Sequence, residues 1–181
     1  YMLGCNAYGK YPTKFNGGLF TYFERYTPDY RNWSGTEFTA QNQRLVYWPM
    51  LRTGDHEAMK PQFDFYLNIL KGGKARAQLC WGIGGAYFPE QISCFGLSNA
   101  AEYRWNRRAG VPVGEEDNPW TRLHYSTALE FALMMLQHIA YTGCDDPRFI
   151  EFAEEVVRFY FEHYPRRPDG CLDYECPESL D

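Results

Sequence analysis

Leu129-Glu130-Phe131-Ala132-Leu133-Met134-Met135-Leu136-Gln137-His138-Ile139-Ala140, and after it Asp146-Pro147-Arg148-Phe149-Ile150-Glu151-Phe152-Ala153-Glu154-Glu155-Val156-Val157-Arg158-Phe159-Tyr160, decide the fold class. The first run is apolar almost all round, as expected of a helix covered by neighbours on several sides. The second places Phe149, Phe152, Ala153, Val156, Phe159 and Tyr160 on one face, an amphipathic stripe that stops before Pro165. Both have start signals, Asn118-Pro119 and Asp146-Pro147, each an N-cap residue followed by Pro at the first helical position. Gly143 ends the first helix near Thr142. A wholly buried helix followed by a one-sided one is the pattern of a two-layered helical barrel.

Upstream, Met59, Phe63, Tyr66, Leu67 and Leu70 follow i, i+4, i+7, i+8, i+11 spacing and predict a helix ended near Gly72-Gly73. Pro61 sits early in it, so that helix either starts late or kinks there. Between Trp33 and Trp48, Ser34 and Glu37 fit a capping box and predict a further helix start. From there Phe38, Asn42, Leu45 and Pro49 share one face, three of the four apolar, and are expected to point inward. Asn42 then becomes an amide at the edge of a core, bonded either to protein and water or to a ligand. Amides flanked by aromatic rings suit a sugar, whose hydroxyls need donors and acceptors. No stretch alternates with period two, so the chain is predicted all-α, with at least four long helices.

The 181 residues are read as one domain, large enough to bury most of its apolar surface. A net charge of −5 without a basic cluster argues against nucleic acid as partner. The longest apolar run, Phe131 to Leu136, is too short to span a bilayer. The start at Tyr1 and the end at Asp181 read as those of a piece of a longer protein. Aromatics make up 18% of the chain, a richness that suits either a large core or a wet, ring-lined pocket. The six cysteines lack any Cys-x-x-Cys spacing, so no zinc site is expected; no other metal site and no cofactor is expected either. Cys171 and Cys176 alone are near enough in sequence to consider a disulfide.

Two segments break the helical pattern. Residues 1–32 are a Gly-, Pro- and aromatic-rich lead-in, and residues 81–117 are a long loop opening on Trp81-Gly82-Ile83-Gly84-Gly85-Ala86-Tyr87-Phe88-Pro89-Glu90-Gln91. Long irregular segments inside compact domains are usually functional. The second is read as an active-site or substrate-covering loop.

Pro12-Thr13-Lys14-Phe15-Asn16-Gly17-Gly18-Leu19-Phe20, followed by Asn42 and Tyr47-Trp48-Pro49, resembles the catalytic domain of glycoside hydrolase family 95. It is still more similar to an uncharacterised, glycoside-hydrolase-like set of bacterial proteins. The resemblance implies an (α/α)6 barrel (an α-toroid), of which this chain covers the first half, from a secreted or periplasmic bacterial protein. It implies inverting exo-hydrolysis of an α-L-fucoside- or α-L-galactoside-like glycan without a metal, with a glutamic acid protonating the leaving oxygen. The acid maps best to Glu178, or to Asp181 in the other register. Of the family's two water-positioning asparagines the second matches Asn42, while the first falls on Ala40, a departure that bears on that arrangement. The family's His-rich segment is replaced by Tyr87-Phe88-Pro89-Glu90-Gln91. The second carboxylate is expected from later helices.

Glu178, Asn42 and Glu90 are thus the candidate catalytic residues, and Trp81, Gln91, Glu37, Asn16 and Trp33 the candidate sugar-binding ones. Glu90 follows Pro89 with no helix in sight to cap; the capping box alone accounts for Glu37. Glu178, without the resemblance, is an exposed turn residue. His124 and His138 read as satisfied core histidines. The alternative function is a non-catalytic glycan-binding or scaffold member of the same fold, and a weaker third is a polysaccharide lyase using His124-Tyr125. The expected partners are a glycan and, across an uncovered flank, the rest of the barrel or a second copy.

Overall fold

The computed structural model describes residues 10–13, 38–98, 109–111, 113 and 126–173. Ser34, Glu37, Trp33, Asn16, His124, Glu178 and Asp181, and the start at Asn118-Pro119, lie outside them. A two-residue strand β1 (Phe38–Thr39) leads into helix α1 (Ala40–Thr53), which turns at Gly54 into α2 (His56–Trp81). Strand β2 (Gln91–Ile92) then pairs antiparallel with β1, Phe38 opposite Ile92 and Thr39 opposite Gln91. Helices α3 (Ser126–Thr142) and α4 (Pro147–His163) form a second hairpin. The protein is mostly helical. No described helix is long and apolar enough to cross a membrane.

The hairpins stack in two layers, α1 on α3 and α2 on α4, with further contacts inside each hairpin. Along α2, Met59, Phe63, Tyr66 and Leu70 are buried, as their spacing predicts. The whole predicted stripe of α4 is buried too, from Phe149 to Tyr160. The Asp146 side chain caps α4 by accepting the Arg148 N–H at 3.0 Å, ahead of Pro147 in the first turn. The predicted stops near Thr142 and before Pro165 also hold: Gly143 turns at φ 70° and Tyr164 ends α4 after His163. Burying each large side chain of the α4 stripe, Phe152 or Phe159 for instance, contributes about 1.5–3 kcal/mol.

Four expectations are corrected. Helix α1 begins at Ala40 rather than Ser34, because Phe38 and Thr39 are extended and paired with β2. Its buried face is therefore Ala40, Gln43, Tyr47, Met50 and Leu51, while Leu45 is 71% exposed and Pro49 lies outside. Helix α2 starts at His56 with Pro61 in its second turn and runs through Gly72-Gly73 to Trp81. Gly73 does not end it because the Phe88 ring sits 2.7 Å from where a Cβ would stand, so this glycine admits a ring. Finally, α3 is not covered all round: Phe131, Ala132, Met134 and Met135 are buried, but Leu133 and Leu136 are 46% and 40% exposed.

The glycine-rich segment after α2 is not an open lid. Ala86 to Glu90 are all buried, threaded between α2 and α4. The Ala86 N–H donates to the Glu155 carbonyl at 2.8 Å and the Tyr87 N–H to the Gly73 carbonyl at 3.2 Å. Gly85, at φ 79°, lies so close to α4 that a Cβ would meet the Phe159 nitrogen at 2.2 Å. From the other side, buried Arg76 donates to the carbonyls of Tyr87 and Gly96, at 3.3 and 2.7 Å. This segment is core, held to both layers through its backbone.

Candidate functional site

A polar seam runs through the aromatic core beneath α1. Gln43 and Gln62 face each other across the first hairpin, both 0% exposed, with Tyr66 one turn beyond Gln62. Gln43 Nε2 donates to the Tyr66 hydroxyl at 3.3 Å, and Gln62 Nε2 reaches Gln43 Oε1 at 3.5 Å. Gln62 Oε1 is buried without a hydrogen-bond partner. The Tyr66 ring packs among Phe65, Phe88, Phe131 and Phe152. Burial drives the Tyr66 phenol pKa well up; the Gln43 bond opposes this, and the Glu90 and Tyr47 side chains add to it. The phenol therefore stays protonated, a neutral donor and acceptor.

Glu90 closes the seam at the start of α1. It is 1% exposed; its backbone oxygen accepts the Ala40 N–H at 2.9 Å, and its carboxylate Oε1 accepts the Gln41 N–H at 2.8 Å. Thr39, the formal N-cap, makes no side-chain cap bond. A carboxylate at the positive end of a helix satisfies free N–H groups and meets a favourable dipole. Sequence reading found no helix for Glu90 to cap; the structure supplies one, because β1–β2 pairing carries it 49 positions back to Gln41.

Tyr47 joins the segments that carry the family resemblance. Its hydroxyl accepts the Thr13 N–H at 3.0 Å, linking the Pro12-Thr13 stretch to Tyr47-Trp48-Pro49. Burial pushes the Tyr47 phenol up to about 12, against the lowering effect of that bond. Next to it, Trp48 Nε1 donates to Glu130 Oε2 at 3.2 Å and Arg44 pairs with Glu130 Oε1 at 3.4 Å, tying α1 to α3.

Of the described candidates, the structure brings Asn42, Glu90 and Gln91 together around the start of α1. Asn42 is half-buried and adjoins Gln41, the residue held by Glu90; Gln91 pairs with Thr39 in the sheet. Trp81 belongs to another group. It meets Tyr87, Phe159 and His163 edge-on at 4.6, 5.4 and 5.6 Å, a packing role at the end of α2. Sequence reading missed Gln43 and Gln62 and placed Tyr66 only as a core residue. The signal was present, since Gln43, Tyr47, Met50 and Leu51 follow i, i+4, i+7, i+8 spacing.

A carboxylate, two amides and two phenols form a set suited to hydroxyl-rich ligands. Here, Gln62 Oε1 apart, they are spent on one another, on the Thr13 N–H and on the α1 backbone, fixing the helix start that carries Asn42. Among the described residues Cys94, Cys144 and Cys171 are free thiols, and Cys176, the other half of the considered disulfide, lies outside them. No protein-family model, curated protein or solved structure matches the chain.

Proposed function

We propose that the chain is part of a carbohydrate-active helical protein that hydrolyses a glycosidic bond at the non-reducing end of an α-L-fucoside- or α-L-galactoside-like glycan, with inversion. In this reading Glu178 is the general acid, Asn42 orients the attacking water, and Glu90 is a positioning residue that fixes the turn carrying Asn42. Inverting chemistry needs a second carboxylate about 6.5–9.5 Å from the acid, leaving room for that water. The observation that carries the reading is the Thr13–Tyr47 bond, which joins the two stretches of the resemblance beside the Glu90-held helix start. The two-layered stacking of helical hairpins supports the (α/α)6 expectation. So do the exposed Leu133, Leu136, Val157 and Phe161, on the pair of helices against which a further hairpin or a second copy would pack.

The test is a screen of the intact protein on aryl α-L-fucoside and α-L-galactoside, with the anomer of the released sugar read by NMR. Inverted product, lost on Glu178→Gln with the thermal melt unchanged, supports hydrolysis. A second reading, non-catalytic glycan binding, is favoured by Ala40 at the position of the first asparagine and by the engagement of Glu90 as a cap. Saturable glycan binding with no turnover would establish it instead.

A further inference from the structure

On the side of the molecule where the two hairpins turn, a cavity of about 170 Å³ is lined by His56, Phe63, His138, Cys144, Asp146 and neighbouring side chains. His56 opens α2, and His138 lies one turn before the end of α3. Their rings stand 5.1 Å apart, centre to centre, inclined at 74°. Phe63 and Phe149 meet the His138 ring edge-on at 5.4 and 5.8 Å and hold it in place. In both histidines Nδ1 is sealed from water and has no hydrogen-bond partner. One such nitrogen is unusual; two in a facing pair on one cavity wall call for a shared explanation.

We propose that His56 and His138 together bind one divalent transition-metal ion at this cavity wall. Two imidazoles on one tetrahedral ion, at nitrogen distances of about 2.0–2.1 Å, have their ring centres about 5 Å apart. The observed centre-to-centre spacing equals that of two imidazoles on a shared ion. Imidazole is the nitrogen ligand of zinc, copper and nickel, and it must be neutral to ligate. Burial lowers the His138 pKa, reinforced by His56 and opposed by Glu57, so that its neutral ring predominates at pH 7. Around the pair, Lys60 is bound to Asp64 and Arg148 to Asp146, which pairs off both cations of the cavity wall and leaves the Glu57 charge to favour a cation. Among the described residues no group of three or more His, Cys, Asp or Glu could hold an ion. The described residues therefore contribute two ligands.

The experiment is calorimetric titration of the intact, reduced protein with Ni(II) at pH 7.5. One saturable equivalent is expected, weakened at least tenfold in both His56→Phe and His138→Phe, which keep a ring at each position. His163→Phe, on the far end of α4, should bind as the parent does. Absence of saturable binding, or loss in only one of the two variants, overturns the shared site. Should either variant fail to fold, histidine acylation mapped by mass spectrometry tests the unmodified protein. Ni(II) should shield His56 and His138; equal labelling with and without the metal overturns the proposal.

Discussion

The Glu90 carboxylate lies 2.8 Å from the backbone nitrogen of Gln41, so a residue from the loop after α2 caps the helix before it. The contact ties together β1, α1 and β2 at the point where Asn42 leaves the helix start. Its removal should be felt both as stability and as local order.

Glu90→Ala should destabilise the protein by about 1–3 kcal/mol, the cost of leaving a part-buried N–H unsatisfied and losing a helix cap. Glu90→Gln keeps an acceptor for the Gln41 N–H and gives up only the charge–dipole part, so it should cost about 1 kcal/mol or less. Denaturant midpoints of the three proteins check the ordering. If Gln costs as much as Ala, capping is not what Glu90 contributes.

Gly85→Ala should be among the most damaging single substitutions in the chain. The new Cβ would stand 2.2 Å from the Phe159 nitrogen and 2.7 Å from the Glu155 oxygen, both backbone atoms that cannot turn aside. The φ of 79° adds strain for any L side chain. A loss of about 3 kcal/mol or more is expected. By contrast Gly54→Ala, at a similar φ of 83° but with nothing within 4 Å, should cost about 1 kcal/mol. Thermal melts of the pair separate crowding from backbone strain.

These glycines show why the sequence disclosed helices better than boundaries. The stripe of α4 and its Asp146-Pro147 start are local patterns, and they were legible from spacing alone. Gly73 looked like a stop because a missing side chain reads as a break until the Phe88 ring that occupies the space is known. Glu90 looked unattached for the same reason: its helix lies far back in the chain, and only β1–β2 pairing brings them together. The inward face of α1 was misread by one residue. The face through Phe38 and Leu45 makes Asn42 the core amide, whereas the start at Ala40 turns Gln43 inward. Trp81 suits a sugar platform because glycines follow it in sequence, yet those glycines fit the segment against α4 and leave the half-buried ring packed edge-on against the core.

The seam predicts an asymmetry between its two glutamines. Gln43 serves both Tyr66 and Gln62, so Gln43→Met strands a phenol and an amide in the core and should cost about 2–4 kcal/mol. Gln62→Met strands only the Gln43 oxygen and removes the partnerless Gln62 Oε1, so the cost should stay within about 1 kcal/mol. Chemical denaturation of both variants reads the difference. Equal losses would show that the long Gln62–Gln43 contact is as valuable as the bond to Tyr66.

Acid should weaken the fold through His163 and His138. Burial lowers the pKa of His163, which is stacked on Phe159 at 5.2 Å, and burial with the nearby His56 lowers that of His138. An unfolded chain takes up these protons at the ordinary histidine value of about 6.5, before the folded protein does. Stability is therefore at its full value above that pH and declines as pH falls below it, levelling only once the folded histidines are themselves protonated. Denaturant midpoints between pH 8 and pH 5 should trace the decline. His163→Phe, which keeps the stack, should make it shallower, and pairing it with His138→Phe should flatten it further. A slope unchanged in the double variant would place the acid sensitivity on other groups.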